Sequence, residues 1–127
     1  MFHVSPTPNI DVLLPFSSAE DIIDGEIVWD DDSKNIFKKC VSFGKTVIGC
    51  LMDVPMNSGY IYIPDEDIKE CEIRHFWKEA SELHILSLFS KEVRIYRPVK
   101  VLCIGTFNVE HIFATDGYRR RYKINIY

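Results

Sequence analysis

The sequence predicts an α+β domain, with short strands at both ends of the chain and a helical period in its second half. Three observations carry this. Apolar alternation or short apolar runs mark six or seven strand-length segments, the clearest being Tyr60-Ile61-Tyr62-Ile63. One longer stretch, 72–88, repeats its apolar groups at helical spacing. The regular strand–helix alternation that a parallel sheet requires is missing. At 127 residues the chain suits a single domain, 1–127, with small mixed or antiparallel sheets and one or two helices.

Taken in order, 1–4 reads as a strand, and Ser5-Pro6-Thr7-Pro8 ends it because proline removes a ladder donor. Ser17 or Ser18 is placed to cap a helical turn through Ile23, with Glu20 and Asp21 at its positive end and Gly25 stopping it. A strand over 26–29 and a turn at Asp30-Asp31-Asp32-Ser33 follow. A small strand over 40–43 is broken by Gly44. The stretch 46–52 has Val47, Ile48, Leu51 and Met52 at helical spacing, though β-branched content leaves a strand open. The strand over 60–63 stops at Pro64. The main helix is expected over 72–88, on Ile73, Phe76, Trp77, Ala80, Leu83 and Leu86 or Ser87. Strands over 92–96, 99–107 with a break at Gly105, and 121–127 complete the chain.

Hydrophobic residues make up 46% and charged residues 27%, a globular balance rather than a disordered one. No uncharged run approaches the ~20 residues of a membrane span, and no basic leader precedes an apolar stretch, so a cytoplasmic protein without membrane contact is expected. The net charge of −4 disfavours wholesale binding to nucleic acid. The charge is uneven: 11–32 holds eight carboxylates and no Lys or Arg, whereas 91–127 holds eight basic residues against three acids. Arg119, Arg120, Arg121 and Lys123 form the sharpest basic feature and the one place where nucleic acid or an acidic partner could be met. The opposite charge of the two ends also admits a homodimer.

Cys40, Cys50, Cys71 and Cys103 form no C-x-x-C pair and lack histidine at ligand spacing, so reduced thiols and no metal are expected. Gly44-Lys45-Thr46 mimics the end of a P-loop, but Lys39 occupies the position of the upstream glycine. The aspartates at 30–32 lack the glycine and closing glutamate of a calcium loop.

The chain opens with Phe2-His3-Val4-Ser5-Pro6, followed by Leu13 and Pro15. Val41-Ser42-Phe43-Gly44, the run from Val47 to Leu51, Gly59-Tyr60-Ile61-Tyr62-Ile63-Pro64, Lys91-Glu92-Val93-Arg94-Ile95-Tyr96 and the run from Val99 to Gly105 follow in order. Together they resemble small stand-alone ADP-ribosyltransferase-like domains of bacteria and their phages. The resemblance implies an ADP-ribosyltransferase-like fold and a protein that binds NAD or a related nucleotide. His3 and Ser5 would hold NAD, Tyr60 or Tyr62 would stack on the nicotinamide, and Glu92 would be the catalytic carboxylate, with no metal. Two features depart from the pattern: Ser90 stands two residues before Glu92, where a second acid would set the target, and 72–90 has no counterpart. A weaker resemblance, of 77–96 to a segment of ovarian-tumour-type cysteine proteases, lacks the nucleophile, since Asp24-Gly25 is followed by Glu26 and Ile27. The alternative function is a non-enzymatic interaction module, or a viral inhibitor of a host protein, on the same or a degenerate fold.

Overall fold

The computed structural model describes residues 1–30, 37–83 and 90–127. About 51% is strand and 14% helix, so sheets carry the architecture and two short helices decorate them. The main sheet is antiparallel, in the order β1 (His3–Ser5), β6 (Ser58–Pro64), β9 (Val99–Ala114), β10 (Gly117–Ile126). A two-residue strand, β2 (Val12–Leu13), pairs with the start of β9. A second antiparallel sheet runs β5 (Val41–Phe43), β8 (Val93–Ile95), β7 (Ile73–Arg74). The third is a hairpin of β3 (Glu20–Ile23) and β4 (Glu26–Trp29).

Each face of the main sheet has its own core. On one side Tyr62, Val99 and Val101 meet Val41, Phe43, Val93 and Ile95 of the second sheet. On the other, Val4, Ile61, Phe107 and Val109 meet Cys50 and Leu51 of α1 (Val47–Asp53). Odd-numbered residues of β9 serve both cores, which strict alternation forbids. The register explains it. Ile61 pairs with Gly105 but Tyr62 pairs with Cys103, so Ile104 is the extra residue of a β-bulge that turns the following side chains to the opposite face.

Local chemistry accounts for the elements. The Thr46 hydroxyl accepts from Gly49 N at 3.0 Å and so caps α1, settling 46–52 as helix. The turn expected over 17–23 is instead the β3–β4 hairpin. Asp24 and Gly25 both have positive φ, 52° and 76°, which is the two-residue turn an Asp-Gly pair favours. The helix expected over 72–88 starts late: α2 spans Phe76–Glu82. Ahead of it Ile73 and Arg74 are taken by pairing with Ile95 and Arg94 of β8. Leu86, Ser87 and Leu88 lie outside the described residues. β9 runs through Gly105 without a break, and β10 begins earlier than expected, at Gly117 rather than Arg121. Among the described residues no helix is long and apolar enough to cross a membrane.

Candidate functional site

Where β1 leaves the main sheet it bridges to the second one: Phe2 N donates to Gly44 O and Gly44 N to Phe2 O, both at 2.8 Å. A cavity of about 510 Å3 opens beside this bridge, with Phe2 and Gly44 in its wall. That is within the roughly 300–1,000 Å3 of ordinary small-molecule sites. His3 and Ser5 of β1, Ser42 of β5, and Glu92 just before β8 all line it. Phe2, Phe16 and Phe43 supply aromatic walls.

His3 is held from two sides. Its Nδ1 lies 2.9 Å from Ser42 O, and its ring meets Phe43 edge-on at 6.1 Å between centroids. A carbonyl can only accept, so Nδ1 carries the proton and Nε2 is left as the acceptor of a neutral ring. Burial pushes the pKa of His3 down, only partly offset by the bond to Ser42 O. The folded state therefore resists protonation more than the unfolded chain, whose histidine titrates near about 6.5. The contribution of this residue to stability is complete above that value and falls as pH drops towards the lower folded pKa. His3→Asn, which can still donate to Ser42 O, should flatten the acid side of the stability curve below about pH 6.5 in urea titrations at stepped pH. An equal slope in both proteins would show that His3 protonates freely in the fold.

Glu92 is set by its neighbour. Its Oε2 accepts from Arg94 Nε at 2.8 Å, and its backbone O accepts from Trp77 N at 2.9 Å, which ties it to the start of α2. Arg94 is itself buried, with its guanidinium 3.6 Å from the Phe76 ring centroid and Nη1 donating to Glu20 O at 3.0 Å. The carboxylate at the cavity wall is thus the outer end of a buried ionic cluster that continues to Asp21 and Arg74. Nothing in the spacing of the sequence joins these residues. A signal was present in Arg94, a lone charge between Val93 and Ile95 on a strand otherwise fully apolar.

The two tyrosines are placed elsewhere. Tyr62 is completely buried in the inter-sheet core, with its hydroxyl donating to Thr7 O at 2.6 Å and accepting from Ile10 N at 3.4 Å. Tyr60 packs partly buried against the same core. Neither lines the cavity, so the aromatic surfaces beside His3 and Glu92 are phenylalanines. The register puts Tyr62 opposite His3 and Tyr60 opposite Ser5, on the same face, but the second sheet covers the tyrosines there and Tyr62 reaches along the sheet to the loop after β1.

Among the described residues no Lys or Arg lines the cavity, and no group of three metal-ligating side chains occurs. Cys50 lines it as a buried thiol; Cys40 is packed away from it, and burial pushes its thiol pKa up, against a nucleophilic role. Comparison with protein families, with curated proteins and with solved structures finds no match.

Proposed function

We propose that the cavity takes the nicotinamide-riboside end of NAD or a related nucleotide, and that the chain is a small ADP-ribosyltransferase-like domain. One observation carries this reading: His3 and Ser5 of β1 and the distant Glu92 line one cavity of ligand size. When bound, NAD supplies a ribose carbon that becomes electrophilic as nicotinamide departs with the electron pair of the broken bond. The neutral His3 ring offers Nε2 to a ribose hydroxyl, and Ser5 offers a second polar contact. Phe43 or Phe16 provides an apolar surface for the nicotinamide. Glu92, oriented by Arg94, places negative charge beside the developing cation and can take the proton of the attacking acceptor. With no described cation on the wall, the pyrophosphate would lie beyond it.

Calorimetric titration with NAD tests the reading. Wild type should bind, and His3→Ala should weaken binding about tenfold, the worth of one hydrogen bond of ~1.4 kcal/mol. Glu92→Gln should retain binding but slow nicotinamide release about a hundredfold or more. No heat at millimolar NAD removes the transferase reading.

One feature favours a second reading, a non-enzymatic interaction module. Leu14 and Phe16 stand at the cavity with 68% and 57% of their surface exposed, as a socket for a partner's apolar side chain would require. In that case Phe16→Ser should abolish partner capture while NAD produces no heat.

A further inference from the structure

Among the described residues the outer side of β10 has no strand partner, and we propose that this edge receives an extended peptide in which acidic and apolar residues alternate. Hydrogen bonds fix which groups are open. Tyr127 N donates to Ile104 O at 2.8 Å, whereas Val109 N, opposite Tyr122, donates away from β10 to Asn57 O at 2.7 Å. In an antiparallel ladder bonded and non-bonded pairs alternate. Odd-numbered residues of β10 are therefore the ones bonded to β9. Tyr118, Arg120, Tyr122, Ile124 and Ile126 turn their N–H and C=O groups outward.

The side chains divide the same way. Tyr118, Tyr122, Ile124 and Ile126 share a face with Phe113 and Phe107, and Tyr118, Ile124 and Ile126 are exposed at 51%, 37% and 53%. The other face carries Arg119, Arg121 and Lys123. Two carboxylates answer the four cations of β10: Glu110 is shared by Arg121 and Lys123, and Asp116 pairs with Arg119. Arg120 lies over the Tyr122 ring at 5.9 Å. The strand is thus an edge with one face that is apolar apart from Arg120, one basic face and an excess of positive charge.

This charge selects the occupant. A second copy paired over the whole strand about Tyr122 would set Arg121 against the copy's Lys123, a like-charge pair that disfavours association. A pairing centred nearer Tyr127 would leave the basic half uncovered. A strand with carboxylates on one face and aliphatic groups on the other meets both faces of β10 and completes its ladder, as in β-strand addition. The open ladder of backbone donors and acceptors favours a peptide over nucleic acid.

Amide hydrogen exchange on the full chain, with a synthetic peptide of alternating glutamate and valine, tests the proposal. The amides of Tyr118, Arg120, Tyr122, Ile124 and Ile126 should slow on peptide addition, and those of their odd-numbered neighbours should be slow already. The same residues arranged in two blocks should give no protection. Arg121→Gln should weaken binding about fivefold, and salt should weaken it in the wild type. Ile124→Pro, which removes one outward donor without breaking the inner ladder, should weaken it about tenfold. Three outcomes overturn the proposal: unprotected even-numbered amides at millimolar peptide; protection that rises with protein concentration alone, which indicates a second copy; and protection by a single-stranded oligonucleotide in preference to the peptide.

Discussion

Asp21→Ala is expected to lower the free energy of unfolding by about 3–5 kcal/mol, the usual loss when one member of a buried ionic cluster is removed. Arg74 and Arg94 are register partners on β7 and β8, so the second sheet places two guanidinium groups side by side. Like charges directly opposite destabilise a sheet unless something lies between them. Asp21, buried on β3, is that group: its Oδ1 is 2.7 Å from Arg74 Nη1 and 3.7 Å from Arg94 Nη1. The β3–β4 hairpin contributes two further acceptors, Ile22 O to Arg74 at 3.1 Å and Glu20 O to Arg94 at 3.0 Å. Without the carboxylate, Arg74 keeps Glu79, Tyr96 and Ile22 O, and Arg94, with 1% of its surface exposed, keeps Glu92, Glu20 O and the Phe76 ring, but no negative charge then lies between the two guanidinium groups. Two follow-up variants separate charge from packing. Asp21→Asn keeps an acceptor and should cost about half as much as the alanine variant. Adding Arg74→Met to Asp21→Ala should recover about 1–3 kcal/mol by removing the repulsion. Urea unfolding measures each, and a loss within about 0.5 kcal/mol of zero for Asp21→Ala would show that the hairpin does not screen the arginine pair.

The same cluster shows what the sequence discloses and what it hides. Local signals were readable. Val47, Ile48, Leu51 and Met52 stand at helical spacing, and Tyr60-Ile61-Tyr62-Ile63 alternates as a strand must. Glu20 and Asp21 after the serines satisfy a helix start that Gly25 would stop, whereas the fold uses Asp24-Gly25 as a hairpin turn, and local chemistry alone does not choose. Ile73 and Arg74 fit the helical period of the residues that follow. Pairing with Ile95 and Arg94 overrode that fit, and such pairing is a long-range event with no local mark. For the cavity, the opening His3 and Ser5 could be singled out from the sequence, as could Glu92. Asp21, which meets Arg94 behind Glu92, could not, because an ion pair between residues so far apart has no periodicity. The tyrosines mislead for a related reason. Alternation says that Tyr60 and Tyr62 share one face, yet whether that face opens on a cavity or on a core depends on what the second sheet lays across it.

Gly105→Ala is expected to destabilise the protein by about 2–3 kcal/mol, as overpacking does, although the added methyl is small. The residue sits mid-strand in β9, paired with Ile61 on one side and Ile126 on the other, directly after the bulge at Ile104. A β-carbon there would lie 2.3 Å from Asn125 O and 3.1 Å from the Ile126 Cα. Both contacts are backbone, so no rotamer change relieves them, and β10 must move away from β9. At an unhindered site, the same substitution commonly stabilises by about 0.4–1 kcal/mol through the unfolded chain, so the sign of the effect is itself diagnostic. Damage should begin at the end of the strand. The Tyr127 N to Ile104 O bond goes first, and the amides of Asn125 and Lys123 should exchange faster while Gly117 and Arg119, near the turn, change little. Thr106→Ala, next in the strand and without a backbone clash, should fall within about 0.5 kcal/mol of wild type. A stabilised Gly105→Ala protein would mean that β10 is not held against β9 at this point, and the ten-residue edge built on that pairing would then lose its rigid template.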